Sequence, residues 1–207
     1  MRLIGMLDSP YVRRVAVSLH LLGLPFALEQ VSVFRDYDQF ETVNPVVKAP
    51  SLVTDGGVVL MDSTLILDYL DRLVPQDRRL TPEAPDAYLR SQRIIGLALA
   101  ACEKTVQLIY ELNLRPEEKQ HAPWMDRVKG QLATAYALLE AELPAEPVWL
   151  CGRRPMQADI TAAVAWGFTQ FRHPELAEAE DFPRLAALSA RAEALAPFVA
   201  CSLDGVI

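Results

Sequence analysis

The sequence predicts an α+β segment followed by an all-α segment. Three observations lead there. Over the first 74 residues the apolar pattern alternates between strand-like and helix-like periods, in the order β-α-β-α-β-β-α. A stretch dense in proline, "PQDRRLTPEAPDA" with Pro75, Pro82 and Pro85, then interrupts both patterns. From Tyr88 onward every apolar stripe has helical spacing. The expected boundaries are 1–75, a linker over 76–86, and 87–207.

Each element has its own reason. "RLIGML" is a short apolar run of strand length. "PYVRRVAVSLHLLGL" sets Val12, Val15, Ala16, Leu19 and Leu22 on one helical face, and Gly23 closes it. "FALEQVSV" alternates, with Val31 and Val33 as expected strand residues. "DYDQFETVN" is a short polar helix or a loop, closed by Asn44-Pro45. "PSLVT" and "VVLM" flank Asp55-Gly56-Gly57, a hairpin signal, because the turn needs positive φ. "STLILDYLDRLV" is an amphipathic helix. Four helices follow, within "YLRSQRIIGLALAACEKTVQLIYELN", "WMDRVKGQLATAYALLEAEL", "ADITAAVAWGFTQF" and "PRLAALSARAEAL".

Composition narrows the function classes. Half of the 207 residues are hydrophobic, ample for a core. The net charge of -7 argues against non-specific binding to nucleic acid or anionic membrane. Cys102, Cys151 and Cys201 are odd in number and far apart, so neither a disulfide framework nor a metal site is expected. No apolar run approaches the roughly 18 residues that span a bilayer, and no cleavable leader is recognised. A cytoplasmic protein is expected.

Three short stretches could carry chemistry, and each has two readings. Ser9-Pro10 is a favoured helix start, with serine as N-cap and proline in the first turn. The same helix start favours an anion, and a serine hydroxyl can donate to it. In "NPVVKAPSLV", Pro50 either simply enters a strand or follows a cis Ala49–Pro50 bond. The cis form would turn the Ala49 backbone outward to pair with an extended peptide. In "MDSTLIL", Asp62 and Ser63 either cap a helix or grip an α-amino-acid head group, the carboxylate taking the ammonium.

In this order and at these intervals, "SPYVRRV", "NPVVKAPSLV" and "DSTLILDYL" resemble the cytosolic glutathione transferases, over essentially the whole chain. The resemblance is closest to the bacterial and plant serine-type members. It implies a thioredoxin-like N-terminal domain and an all-helical C-terminal domain. It also implies that glutathione is the co-substrate, with no metal, and that the Ser9 hydroxyl faces its sulfur. The chemistry wants such a donor, because a free thiol with pKa of about 8.5 is mostly protonated at neutral pH. Ser9 would stabilise the thiolate and need not itself ionise, with Tyr11 as backup donor. Ala49 and Pro50 would meet the cysteinyl part, Lys48 and Arg35 the glycyl carboxylate, and Asp62 with Ser63 the γ-glutamyl end. The electrophile pocket is expected between the domains, with Tyr11, Tyr110 and Trp166 as candidates beside Trp124 and Phe168; for the helical aromatics a core role is the competing reading. Family members are usually two-fold homodimers.

The departures also inform. Where tyrosine-type classes carry their catalytic tyrosine, this chain has Met6-Leu7-Asp8; where cysteine-type classes carry cysteine, it has Ser9. The isomerase class has Ser-Ser-Cys, here Ser9-Pro10-Tyr11, which weakens an isomerase reading. In "GRRPMQADITAA", Met156 stands where the family usually has Ser or Thr, three residues before Asp159. Half of that helix cap is expected to be missing, at a cost of about 1 kcal/mol. His20, His121 and His173 fit no triad with a serine. The leading function is a transferase that conjugates glutathione to a small hydrophobic electrophile, or uses it as a reductant. The alternatives are a non-catalytic adaptor of the stringent-starvation type and a carrier of hydrophobic ligands.

Overall fold

The computed structural model describes residues 1–146 and 148–203. It contains β1 (Arg2–Ile4), α1 (Pro10–Leu22), β2 (Ala27–Glu29), α2 (Tyr37–Val43), β3 (Ser51–Val53), β4 (Val59–Met61) and α3 (Ser63–Arg72). Then follow α4 (Pro85–Leu114), α5 (Ala122–Glu142), α6 (Gln157–Arg172), α7 (Pro183–Glu193) and α8 (Ala196–Val199). The chain forms two compact units: Met1–Thr81 with Ala194–Ile207, and Pro82–Glu193.

In the first unit a four-stranded sheet runs in the order β2-β1-β3-β4. β1 and β2 are parallel, joined through α1, whereas β3 is antiparallel to both β1 and β4. This is the mixed sheet with helices that the βαβαββα order implies. Leu3, Ile4 and Leu52 from its centre are fully buried with Val12, Val15, Ala16 and Leu19 of α1. Gly23 ends α1 as expected, at φ 66°, and returns its N–H to the His20 carbonyl. The hairpin between β3 and β4 turns through Gly57 at φ 79°, with Thr54 bonded to Val58 across it.

One expectation needs correction. β2 stops at Glu29, so Val31 and Val33 are not strand residues. The Val31 N–H turns back to the Glu29 carbonyl, and its side chain is buried with Ile4 and Phe40. Burial does not alternate here: Val31 and Ser32 are both buried and Val33 is half-buried, in an irregular segment. The stretch 76–86, expected as a linker, is locally ordered. Gln76–Arg78 forms a 3₁₀ turn, the N–H groups of Leu80 and Thr81 are held at 2.9 and 3.0 Å by the Asp71 carboxylate, and Pro85 already opens α4. The segment from Ala194 clusters with the first unit. Phe198 is fully buried there, beneath the Arg13 guanidinium at 5.6 Å, and Arg13 Nε donates to the Cys201 carbonyl at 2.8 Å.

The second unit is built of long helices, as the spacing predicts. Its core includes Ile94, Ala98, Val128, Leu132, Leu139, Ile160 and Val164. Tyr136, Trp166 and Phe182 meet edge-on or tilted, with centroids 5.4 to 5.9 Å apart. Asp159 is fully buried at the start of α6. Its two oxygens accept from Leu150 N–H and Met156 N–H, both at 2.9 Å. Met156 is the N-cap of α6, and its thioether is at most a weak acceptor there, so the Asp159 carboxylate carries the cap. Burial pushes the Asp159 carboxyl above its ordinary pKa, against the backbone bonds and nearby Arg191 that pull it down.

Candidate functional site

Register brings the three chemical stretches together. Ile4, the last residue of β1, pairs with Ser51, the first of β3; Ser51 pairs in turn with Met61, the last of β4. The turn into Ser9, the Ala49–Pro50 step and the Asp62-Ser63 helix start therefore leave the sheet at one edge. Gly5 makes this close approach possible. It holds φ 139°, and a Cβ there would lie 2.6 Å from Val12 Cγ2 and 3.2 Å from Ala49 Cβ. Its signal in the sequence was a glycine inside an apolar strand, which marks close backbone approach.

Ser9 is the N-cap of α1, half-buried, with Pro10 at the first helical position. Its Oγ accepts from Val12 N–H at 3.4 Å, at the long end for such a bond. A hydroxyl that accepts through a lone pair keeps its proton for another partner. Capping and donation to a ligand are thus compatible at one atom.

The second stretch is held by Asn44, which sequence reasoning did not select. Its Nδ2 donates to Ser51 Oγ at 2.8 Å, and its Oδ1 accepts from Val46 N–H at 3.0 Å. Ser51 Oγ donates to the Lys48 carbonyl at 2.8 Å. Val47 takes φ 51° within this loop. The Ala49–Pro50 bond is cis. Ala49 is half-buried, packed on Ile4, Val31 and Phe40, and its N–H has no hydrogen-bond partner among the described residues. Lys48 and Arg35 are exposed; the Arg35 N–H and that of Phe34 are gathered on Ser32 Oγ.

At the third stretch Asp62 is the N-cap of α3. It sits at φ 70°, ψ 121°, a conformation a non-glycine residue rarely takes. Its carboxylate accepts from Thr64 N–H at 2.9 Å. Backbone strain of this kind gathers at ligand sites. Ser63 beside it is buried. Beneath both lies Arg14, a second residue the sequence reading passed over; Nη1 donates to Ser63 Oγ at 3.3 Å and to Thr64 Oγ1 at 3.4 Å.

The expected pocket residues fare unequally. Tyr11 is half-buried in the first turn of α1. Tyr110, on α4 in the other unit, is 44% exposed. Trp166 is only 4% exposed and takes part in the aromatic core with Tyr136, so it is not the wall of an open pocket. Phe168 is likewise buried. None of Cys102, Cys151 and Cys201 is in a disulfide among the described residues. Among the described residues no cluster suits a metal ion, and no helix is long and apolar enough to cross a membrane.

Residues 3–78 match the glutathione S-transferase N-terminal domain, and residues 122–191 match the C-terminal domain of the same family. The chain belongs to the glutathione S-transferase family. It is therefore an enzyme of the glutathione transferase type with a thioredoxin-like first domain. A glutathione S-transferase from Methylobacterium radiotolerans, solved with glutathione sulfonate, superposes with TM-score 0.89 at 32% identity, over 97% of this chain and 93% of that one. A family member from Pseudomonas fluorescens Pf-5, solved with bound glutathione, gives TM-score 0.84 at 35% identity, over 97% of each chain. The maleylacetoacetate isomerase of Pseudomonas aeruginosa is 30% identical over 158 residues, 71% of each chain.

Proposed function

We propose that this chain binds glutathione along the sheet edge and stabilises its thiolate through Ser9, as a serine-type member of the family. One observation carries this reading: the Ser9 hydroxyl accepts from the helix it caps, and so keeps its proton for the sulfur. The unpaired Ala49 N–H suits the cysteinyl backbone, and Lys48 and Arg35 suit the glycyl carboxylate. The strained Asp62 carboxylate and Ser63 suit the γ-glutamyl ammonium and carboxylate.

The thiolate then attacks an electrophilic carbon of a small hydrophobic substrate. A C–S bond forms, and the electron pair leaves with a displaced group or is protonated on the acceptor. The test is ultraviolet titration of the bound thiol. Wild type is expected to hold it well below about 8.5, and Ser9→Ala to return it toward that value. Equal titration curves for the two would remove Ser9 from the mechanism. Tyr11→Phe tests the backup donor in the same way.

The isomerase relative at 30% identity supports a second reading, in which glutathione adds to and departs from an unsaturated acid. Turnover of maleylacetoacetate without glutathione consumption favours it, whereas net loss of thiol with a halogenated aromatic favours conjugation. A protein that binds no glutathione at millimolar concentration would instead be a non-catalytic adaptor. We place the enzyme in the cytoplasm as a homodimer. The exposed Val58, Val59, Met61 and Leu65 along β4 and α3 support pairing. Light scattering at the monomer mass would remove the dimer.

A further inference from the structure

We infer that Arg14 is a positioning residue for the γ-glutamyl end of glutathione, acting by fixing which way the Ser63 and Thr64 hydroxyls point. The inference rests on the glutathione reading above and goes beyond it, because Arg14 belongs to α1 and not to the stretch that would touch the ligand.

The argument begins with donor and acceptor inventory. A guanidinium carries five N–H donors and no acceptor. Any hydroxyl it contacts must therefore present a lone pair. Arg14 Nη1 lies 3.3 Å from Ser63 Oγ and 3.4 Å from Thr64 Oγ1. Both hydroxyls thus accept from below, and both keep their protons. Ser63 is buried, and no acceptor for its proton is found among the described residues. A carboxylate at the start of α3 would use that proton, together with first-turn N–H groups other than that of Thr64, which Asp62 holds. Donation from a cation also polarises the hydroxyl it reaches, which strengthens the next bond in the chain.

The position of Arg14 is itself fixed. Its side chain is 2% exposed, and its carbonyl accepts from Ser18 Oγ at 2.7 Å. Arg14 thus rides on the helix that Ser9 caps and reaches the helix that Asp62 caps. One side chain sets the spacing between the thiol end and the glutamyl end of the ligand. A neutral residue of similar length would fill the space but leave the hydroxyls free to rotate.

The test compares two thiols: glutathione, and the dipeptide cysteinylglycine, which lacks the γ-glutamyl group. The quantity read is the ratio of their dissociation constants by calorimetry. Ser63→Ala is expected to reduce the preference for glutathione by about tenfold, the scale of one bond to a charged group. Arg14→Met is expected to reduce it as much, with cysteinylglycine binding unchanged, and the double variant to lose no more than either. Arg14→Lys, which keeps a donor-only cation, is expected to retain part of it. A merely structural Arg14 would weaken both ligands alike and leave the ratio in place, which overturns the proposal. An unchanged ratio in Ser63→Ala overturns it whether or not Arg14→Met folds. Failure of wild type to bind either thiol overturns the glutathione reading instead.

Discussion

At the scale of single residues, polarity of hydrogen bonds decides more than residue identity. Ser9 and Asp62 are both N-caps, yet one keeps a proton and the other an acceptor's charge. Ser9→Ala should lower kcat/KM about 100-fold, as loss of one donor to a developing anion does, while stability falls by only about 1 kcal/mol. Steady-state kinetics beside a thermal melt separates the two effects. Asp159 behaves in the opposite way. Asp159→Ala strands two buried N–H groups and should cost about 3 kcal/mol in denaturant titration, with glutathione affinity of the folded protein intact. Its pH dependence has a definite sign. Burial raises the folded pKa, so as pH rises from about 4 the unfolded chain loses its proton first. Wild type should therefore lose stability relative to Asp159→Asn between acid and neutral pH. A wild-type advantage over Asp159→Asn that grows toward neutral pH would contradict this.

At the scale of elements, the sheet edge depends on places where backbones come close. Gly5 is the clearest case. Gly5→Ala places a methyl into Val12 and Ala49 at an unfavourable φ, and should destabilise the first unit by about 2 kcal/mol or more. Because the displaced neighbours are the Ser9 helix and the Ala49 loop, glutathione affinity should fall as well. Calorimetry on the folded fraction checks that coupling. Elements with strong local signals were legible: α1 from its stripe and Gly23, the hairpin from Asp55-Gly56-Gly57, α3 from its apolar face. β2 was read too long because Val31 and Val33 alternate with polar residues while lying outside the ladder. Periodicity reports which side chains are inward; it does not report which backbone groups have partners.

At the scale of the whole molecule, the last segment clusters with the first unit. Nothing local marks Ala194–Ile207 as part of the first unit; the reason lies in Arg13, which is nearly 190 positions away in sequence and holds the Cys201 carbonyl. Phe198→Ala removes a fully buried ring beneath that guanidinium and should cost about 3 kcal/mol. Hydrogen exchange should then speed up in α1 more than in α5 or α6. Uniform protection across both units would show that the segment contributes nothing specific to the first.

The sequence by itself determined the class of fold, the order of most of its elements and the local form of three candidate stretches. Those follow from short-range spacing, capping preference and turn chemistry, all of which act within a few residues. It also named Ser9, Lys48, Ala49, Pro50, Asp62 and Ser63 together, through their order along the chain. Only the tertiary structure decided what supports them. Asn44 and Arg14 were not legible, because each acts through a bond to a residue that only the fold brings near, and Gly5 showed a glycine in an apolar run but not the neighbours it admits. The core fate of Trp166 was undecided for the same reason: an aromatic at helical spacing fits a pocket wall or a core equally until its neighbours are known.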